Sequence, residues 1–243
     1  MVVTVTNAGS MSVWQTITLT AELAKRSWLG LSLLVAIGTI VSYLSLLLQS
    51  GNELDLNRML SITAFSSVAA LLINTLVTLI SLDQLEGQPR SFTALLKLTV
   101  KKLPFLVIQL VLFVLIVLLG FGFLLIPGMI LMITLLPATT LLIIHGYDPI
   151  STLRQSHKLV WGCWWRVANV YSVYSLVSLV LLLPIGWLAF TLSDGTLMQA
   201  VSLTSALTTP LVSAGLAILN LVLCQDLLMR QQDLPLADFT DQR

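Results

Sequence analysis

From Leu103 to Ile144 the chain carries no aspartate, glutamate, lysine or arginine. A helix needs about 20 apolar residues to cross some 30 Å of hydrocarbon. The run is about twice that length, so the chain has to turn inside it. Gly120, Gly122 and Pro127-Gly128 are the only break signals near its middle. Pro-Gly supplies the fixed φ and the positive φ of a type II turn. The pattern therefore predicts one span over 104–125, a tight hairpin at Ile126-Pro127-Gly128 and a returning span over 129–146. Pro137 should kink the returning helix and leave a carbonyl one turn earlier in need of another partner.

The remaining apolar runs extend this to an all-α polytopic membrane bundle. Apolar residues make up 57% of the 243 and charged ones 9%, against roughly a quarter charged in soluble domains. Further spans are expected over 28–48, 59–82, 167–192 and 210–229, six in all, with Pro210 dividing the last helical stretch from a short outer piece. Ser50–Asp55 and Ser193-Asp194-Gly195 read as polar turns, and 231–243 as a flexible tail. Lys25-Arg26 follow a Ser/Thr-rich start rather than preceding a short apolar core, so no secretory leader is expected.

Three connecting segments have the look of interfacial helices. Residues 12–26 place Val13, Ile17, Ala21 and Ala24 at helical spacing. Residues 89–102 align Arg90, Lys97 and Lys101 along one side, with Phe92, Leu95, Leu96, Thr99 and Leu103 on the other. Residues 149–162 begin at an Asp148 N-cap followed by Pro149, carry Arg154 and Lys158 four apart, and lead into Trp161, Trp164, Trp165 and Arg166. A basic amphipathic helix ending in an aromatic and arginine anchor belongs at a membrane surface. Each such helix precedes a pair of spans, a unit seen three times with Pro89-x-Ser91 matching Pro149-x-Ser151.

Six spans put Lys25, Arg26, Arg90, Lys97, Lys101, Lys102, Arg154, Lys158, Arg166, Arg230 and Arg243 on one side and Arg58 alone on the other. By the positive-inside rule both termini are cytoplasmic. Lys97, Lys101, Lys102, Arg154, Lys158 and Arg166 are then the candidate contacts for anionic lipid headgroups, each gaining about 1 kcal/mol near such a leaflet.

Chemistry is otherwise sparse. No charged residue lies deep within a span, where ion coupling needs a group whose charge can change. The polar residues within the spans are Asn74, Gln109, Thr134, Asn169 and Asn220, with Ser172, Ser175 and Ser178. Side-chain amides there most often bond a neighbouring helix. Ser213-Ala214-Gly215 with Ala217 offers a small-residue packing face. His145, His157, Cys163 and Cys224 show no metal-ligand spacing, and no phosphate loop or catalytic triad is legible. No cofactor, metal or nucleic-acid partner is expected; membrane lipids are.

Ile126-Pro127-Gly128, Pro137-Ala138 and Asp148-Pro149, with Leu153, Ser156, Leu159, Gly162, Trp164-Trp165 and Arg166, resemble a recurring bacterial pattern. It is the one seen in YciC-like inner-membrane proteins and in the membrane domain attached to some glycerophosphoryl diester phosphodiesterases. The resemblance is sharpest over about 120–170 and implies a six-helix protein of the bacterial inner membrane. It does not imply phosphodiesterase activity, because that activity belongs to a separate soluble barrel. His145 stands where many members carry an acid. The function expected is that of a non-catalytic membrane protein acting through lipid or protein contacts in envelope maintenance. The alternative is a passive channel or transporter for a neutral or amphiphilic solute, using the Asn and Ser faces of the last two spans.

Overall fold

The computed structural model describes residues 12–49, 56–87, 90–146, 148–192 and 197–232. The expected turns at 50–55 and 193–195, Pro89 of the repeat, and the tail from 233 onward lie outside the described residues. Within them the chain forms nine helices and no strand: α1 (Val13–Arg26), α2 (Trp28–Gln49), α3 (Leu56–Glu86), α4 (Phe92–Phe123), α5 (Leu125–Leu135), α6 (Ala138–His145), α7 (Pro149–Trp161), α8 (Trp164–Leu192) and α9 (Leu197–Gln232). Taking α5 and α6 together, six segments are long and apolar enough to cross a membrane.

Helix α1 starts at a capping box, in which Ser12 Oγ accepts from Gln15 N and Gln15 Oε1 accepts from Ser12 N. Its buried face differs from the expected Val13, Ile17, Ala21 and Ala24 stripe. Thr16, Thr20 and Leu23 face inward. Thr20 Oγ1 donates to the Thr16 carbonyl at 2.8 Å and Thr16 Oγ1 to the Ser12 carbonyl at 3.2 Å. With the hydroxyls satisfied within the helix, the threonine methyls pack as apolar groups. Ser27 alone separates α1 from α2, its hydroxyl donating to the Leu23 carbonyl.

Three proline sites depart from the sequence reading. Residues 92–123 form one helix through Pro104, instead of an interfacial helix handing over to a separate span. Pro104 removes the bond to the Val100 carbonyl, and both residues are exposed, so no packed interface is disturbed. Residues 197–232 are likewise continuous through Pro210. The bulge of that ring fits because the facing residue is glycine: a Cβ on Gly38 would stand 2.9 Å from Pro210 Cβ.

The third departure is the hairpin. Leu124 is the single extended residue between α4 and α5 (φ −163°, ψ 151°). Pro127 lies in the first turn of α5, where a helix N–H has no intrahelical partner and proline costs nothing, and Gly128 N donates to the Leu124 carbonyl. Gly128 is not in the left-handed region; among the described residues the positive-φ glycines are Gly87 and Gly146. Its role is close approach. A Cβ on Gly128 would stand 2.5 Å from the Phe121 ring, and one on Gly120 would stand 3.0 Å from Gly128 Cα. The tip is bare of polar groups, with Phe123, Leu124, Leu125 and Ile126 each at least 68% exposed.

Pro137 breaks the returning helix as expected. The Thr134 carbonyl, in the turn before it, accepts from Ser156 Oγ at 2.7 Å. The Pro137 carbonyl lies 3.6 Å from Cys224 Sγ.

Helix α9 is the hub, packing against α1, α2, α3 and α8. Leu31, Leu34, Leu76, Val77, Leu79, Ile218 and Val222 form the main core, and Val160, Val167, Val170, Leu219, Leu223 and Leu227 a second. Helix α8 rests mainly on α9 and leaves Leu176, Leu179, Val180, Leu183, Trp187 and Leu188 exposed, as suits a helix that faces lipid.

Candidate functional site

Helix α7 is built as its sequence suggests. Asp148, with extended backbone, accepts from Ser151 N at 3.1 Å and from Ser151 Oγ at 2.6 Å, and Pro149 opens the first turn. The hydrogen bonds from Ser151 hold the Asp148 carboxyl below its ordinary value. Thr152, Leu153, Ser156, Leu159 and Val160 are buried, while Ile150, Arg154, Lys158 and Trp161 are exposed.

Its buried face packs against α4, α5 and α6. Leu153 packs with Leu135, Ala138, Leu112, Phe113 and Ile116, and Ser156 and His157 meet Thr134. An apolar groove of about 450 Å³ follows, lined by Leu112, Ile116, Leu131, Leu135, Ile150 and Leu153 together with Arg154 and His157. His157 is held on both sides, Nδ1 lying 3.4 Å from Thr134 Oγ1 and the ring 5.0 Å from that of Trp161.

A second cleft, of about 520 Å³, lies where α7 passes into α8. Ile130 and the stretch Trp161–Arg166 line it. Trp164 and Trp165 meet edge to face with centroids 4.8 Å apart, and Trp165 is 82% exposed. Burial pushes the Cys163 thiol up from its ordinary value. At the back of the cleft Arg166 Nη2 lies 3.0 Å from Asp226 Oδ2, an oxygen that Arg230 Nε also reaches at 3.0 Å.

The six candidate headgroup contacts thus fall into different situations. Lys97 and Lys101 are exposed on α4. Lys102 Nζ donates to the Ile143 carbonyl at the end of α6. Arg166 is engaged by Asp226. Arg154 and Lys158 project from α7 and have no ion-pair partner among the described residues.

The spans' amides do not meet on one surface. Asn220 is buried and accepts from Tyr171 Oη; Asn169, Ser172 and Ser175 lie on the exposed side of α8. Asn74 Oδ1 and Gln109 Oε1 are buried with no partner among the described residues. Among those residues no group of three or more His, Cys, Asp or Glu could hold a metal ion.

Two acids that carry structure were not singled out from sequence. Asp83, buried at the end of α3, accepts from Arg90 N at 2.9 Å and lies 3.2 Å from Arg90 Nε, closing the turn into α4. Asp226 does the same for the N-terminal end of α8 and the C-terminal end of α9. The four-residue spacing Asp226–Arg230 was the available signal. No protein-family model, curated protein or solved structure matches the chain.

Proposed function

We propose that this is a non-catalytic, multi-pass protein of a bacterial inner membrane that works through contacts with lipids and partner proteins in envelope maintenance. The observation that carries the reading is the state of the charges. Each described acidic residue is already engaged. Glu22 pairs with Arg26, Asp83 and Glu86 with Arg90, and Asp226 with Arg166 and Arg230, while Asp148 caps α7. The basic groups Lys97, Lys101, Arg154 and Lys158 have no such partner, and they border strongly apolar helices. Uncompensated cations beside apolar surface match an anionic leaflet. A coupled transporter instead needs a titratable group in the path.

The passive-conduit alternative calls for Asn74, Asn169 and Asn220 on a common wet surface. Tyr171 takes up Asn220, and Asn169 faces away. The resemblance around 120–170 to YciC-like proteins supports the location. The test is flux. Proteoliposomes holding the purified chain should release glycerol no faster than empty vesicles of the same lipid; a clear acceleration would overturn the non-conduit reading.

A further inference from the structure

The charges on α7 sit beside an apolar groove, and the two together define a ligand. Six apolar side chains from α4, α5 and α7 line the groove, and Arg154 and His157 are the polar residues among its lining. Its volume, about 450 Å³, lies within the ~300–1,000 Å³ usual for small-molecule sites. Lys158 stands one turn beyond Arg154 on the same exposed side. Arg154 has no carboxylate partner among the described residues, unlike Arg26, Arg90, Arg166 and Arg230. A ligand with an aliphatic chain and an anionic head satisfies both parts.

We propose that the groove between α4, α5 and α7 binds one anionic glycerophospholipid. An acyl chain lies against Leu112, Ile116, Leu131 and Leu135, and the phosphate is held by Arg154 with Lys158. The guanidinium fork suits a phosphate better than an ammonium does. His157, positioned by Thr134 and Trp161, marks where chain gives way to head. Lys97 and Lys101 are equally uncompensated and exposed on α4 but are not among the residues that line this groove, so they attract a leaflet without contributing to this site. The inference rests on the lipid-contact reading and narrows it to one place.

Native mass spectrometry from nanodiscs of phosphatidylglycerol and phosphatidylcholine tests it. The wild-type chain should retain phosphatidylglycerol in preference. Arg154→Ala with Lys158→Ala should lower that retention about fivefold for each cation removed, and Lys97→Ala with Lys101→Ala should leave it unchanged. Leu131→Trp, which fills the groove and keeps the charges, should also lose the bound lipid. Unchanged retention in the α7 variants would overturn the site. If the α4 variants lose lipid instead, the general lipid reading survives without this site; if no variant does, both fall. A tightly retained second copy of the chain in place of lipid would also overturn the proposal.

Discussion

Arg166 Nη2 lies 3.0 Å from Asp226 Oδ2, joining the first turn of α8 to the C-terminal part of α9. Asp226 is 3% exposed and serves Arg230 as well. One buried carboxylate therefore balances two guanidinium groups, and its loss leaves them facing each other. Asp226→Asn should destabilise the protein by about 2–3 kcal/mol, less than the 3–5 of a wholly buried pair because the arginines remain partly wet. The midpoint of thermal unfolding in detergent reads this, and Arg230→Gln should cost less than Asp226→Asn.

Gly120 and Gly128 close the α4–α5 hairpin by contact rather than by turn geometry. Gly128→Ala should therefore destabilise by about 1–3 kcal/mol through overpacking against Phe121. Gly122→Ala, with nothing within 4 Å, should be neutral or slightly stabilising. A type II turn at Pro127-Gly128 would make Gly128→Asn tolerable; the observed contact makes it worse than Ala.

Ser156 Oγ caps the Thr134 carbonyl that the break at Pro137 leaves available. Ser156→Ala removes that donor from a buried acceptor and should cost about 1–3 kcal/mol. Thr152→Ala should cost less, because its hydroxyl bonds only the Asp148 carbonyl within its own helix.

The tip of the hairpin should lie in lipid. Its four residues Phe123, Leu124, Leu125 and Ile126 are all apolar and exposed. Leaving such side chains in water would forfeit about 1.5–3 kcal/mol each. In a background lacking Cys163 and Cys224, Leu124→Cys should resist a membrane-impermeant maleimide that labels Arg58→Cys. Equal labelling would show that the turn emerges into water.

Cys163 gives a pH test. Burial raises its pKa, so its thiolate is scarcer at neutral pH than that of an ordinary cysteine, and thiolate is the reacting form. Alkylation should be slow at pH 7 and accelerate as pH rises. Trp165→Cys, at a position 82% exposed in the native chain, should react faster at every pH in that range.

The sequence made the helices legible because hydrophobic length and capping chemistry are local. The Asp148-Pro149 start of α7 and the break at Pro137 are decided by residues within one turn of each other. Pro104, Pro127 and Pro210 misled for a common reason. Whether a proline ends a helix depends on what faces it, and Gly38 opposite Pro210 or the exposed side at Val100 cannot be seen along the chain. The site divided in the same way. Arg154 and Lys158 stood out as a basic face, but the groove that gives Arg154 a ligand is assembled from residues 112–116 and 131–135, about 40 and 20 positions away. Arg166 looked equivalent until Asp226, sixty residues on, proved to be beside it.

The most direct measurement is the sidedness of the basic helices, since every reading above places α7 on the face opposite Arg58. Arg154→Cys and Arg58→Cys, each in the cysteine-free background, are exposed to an impermeant maleimide in intact cells and in inverted membrane vesicles. The expected result is opposite labelling: Arg58→Cys in cells only and Arg154→Cys in inverted vesicles only. Labelling of both from the same side would contradict the account.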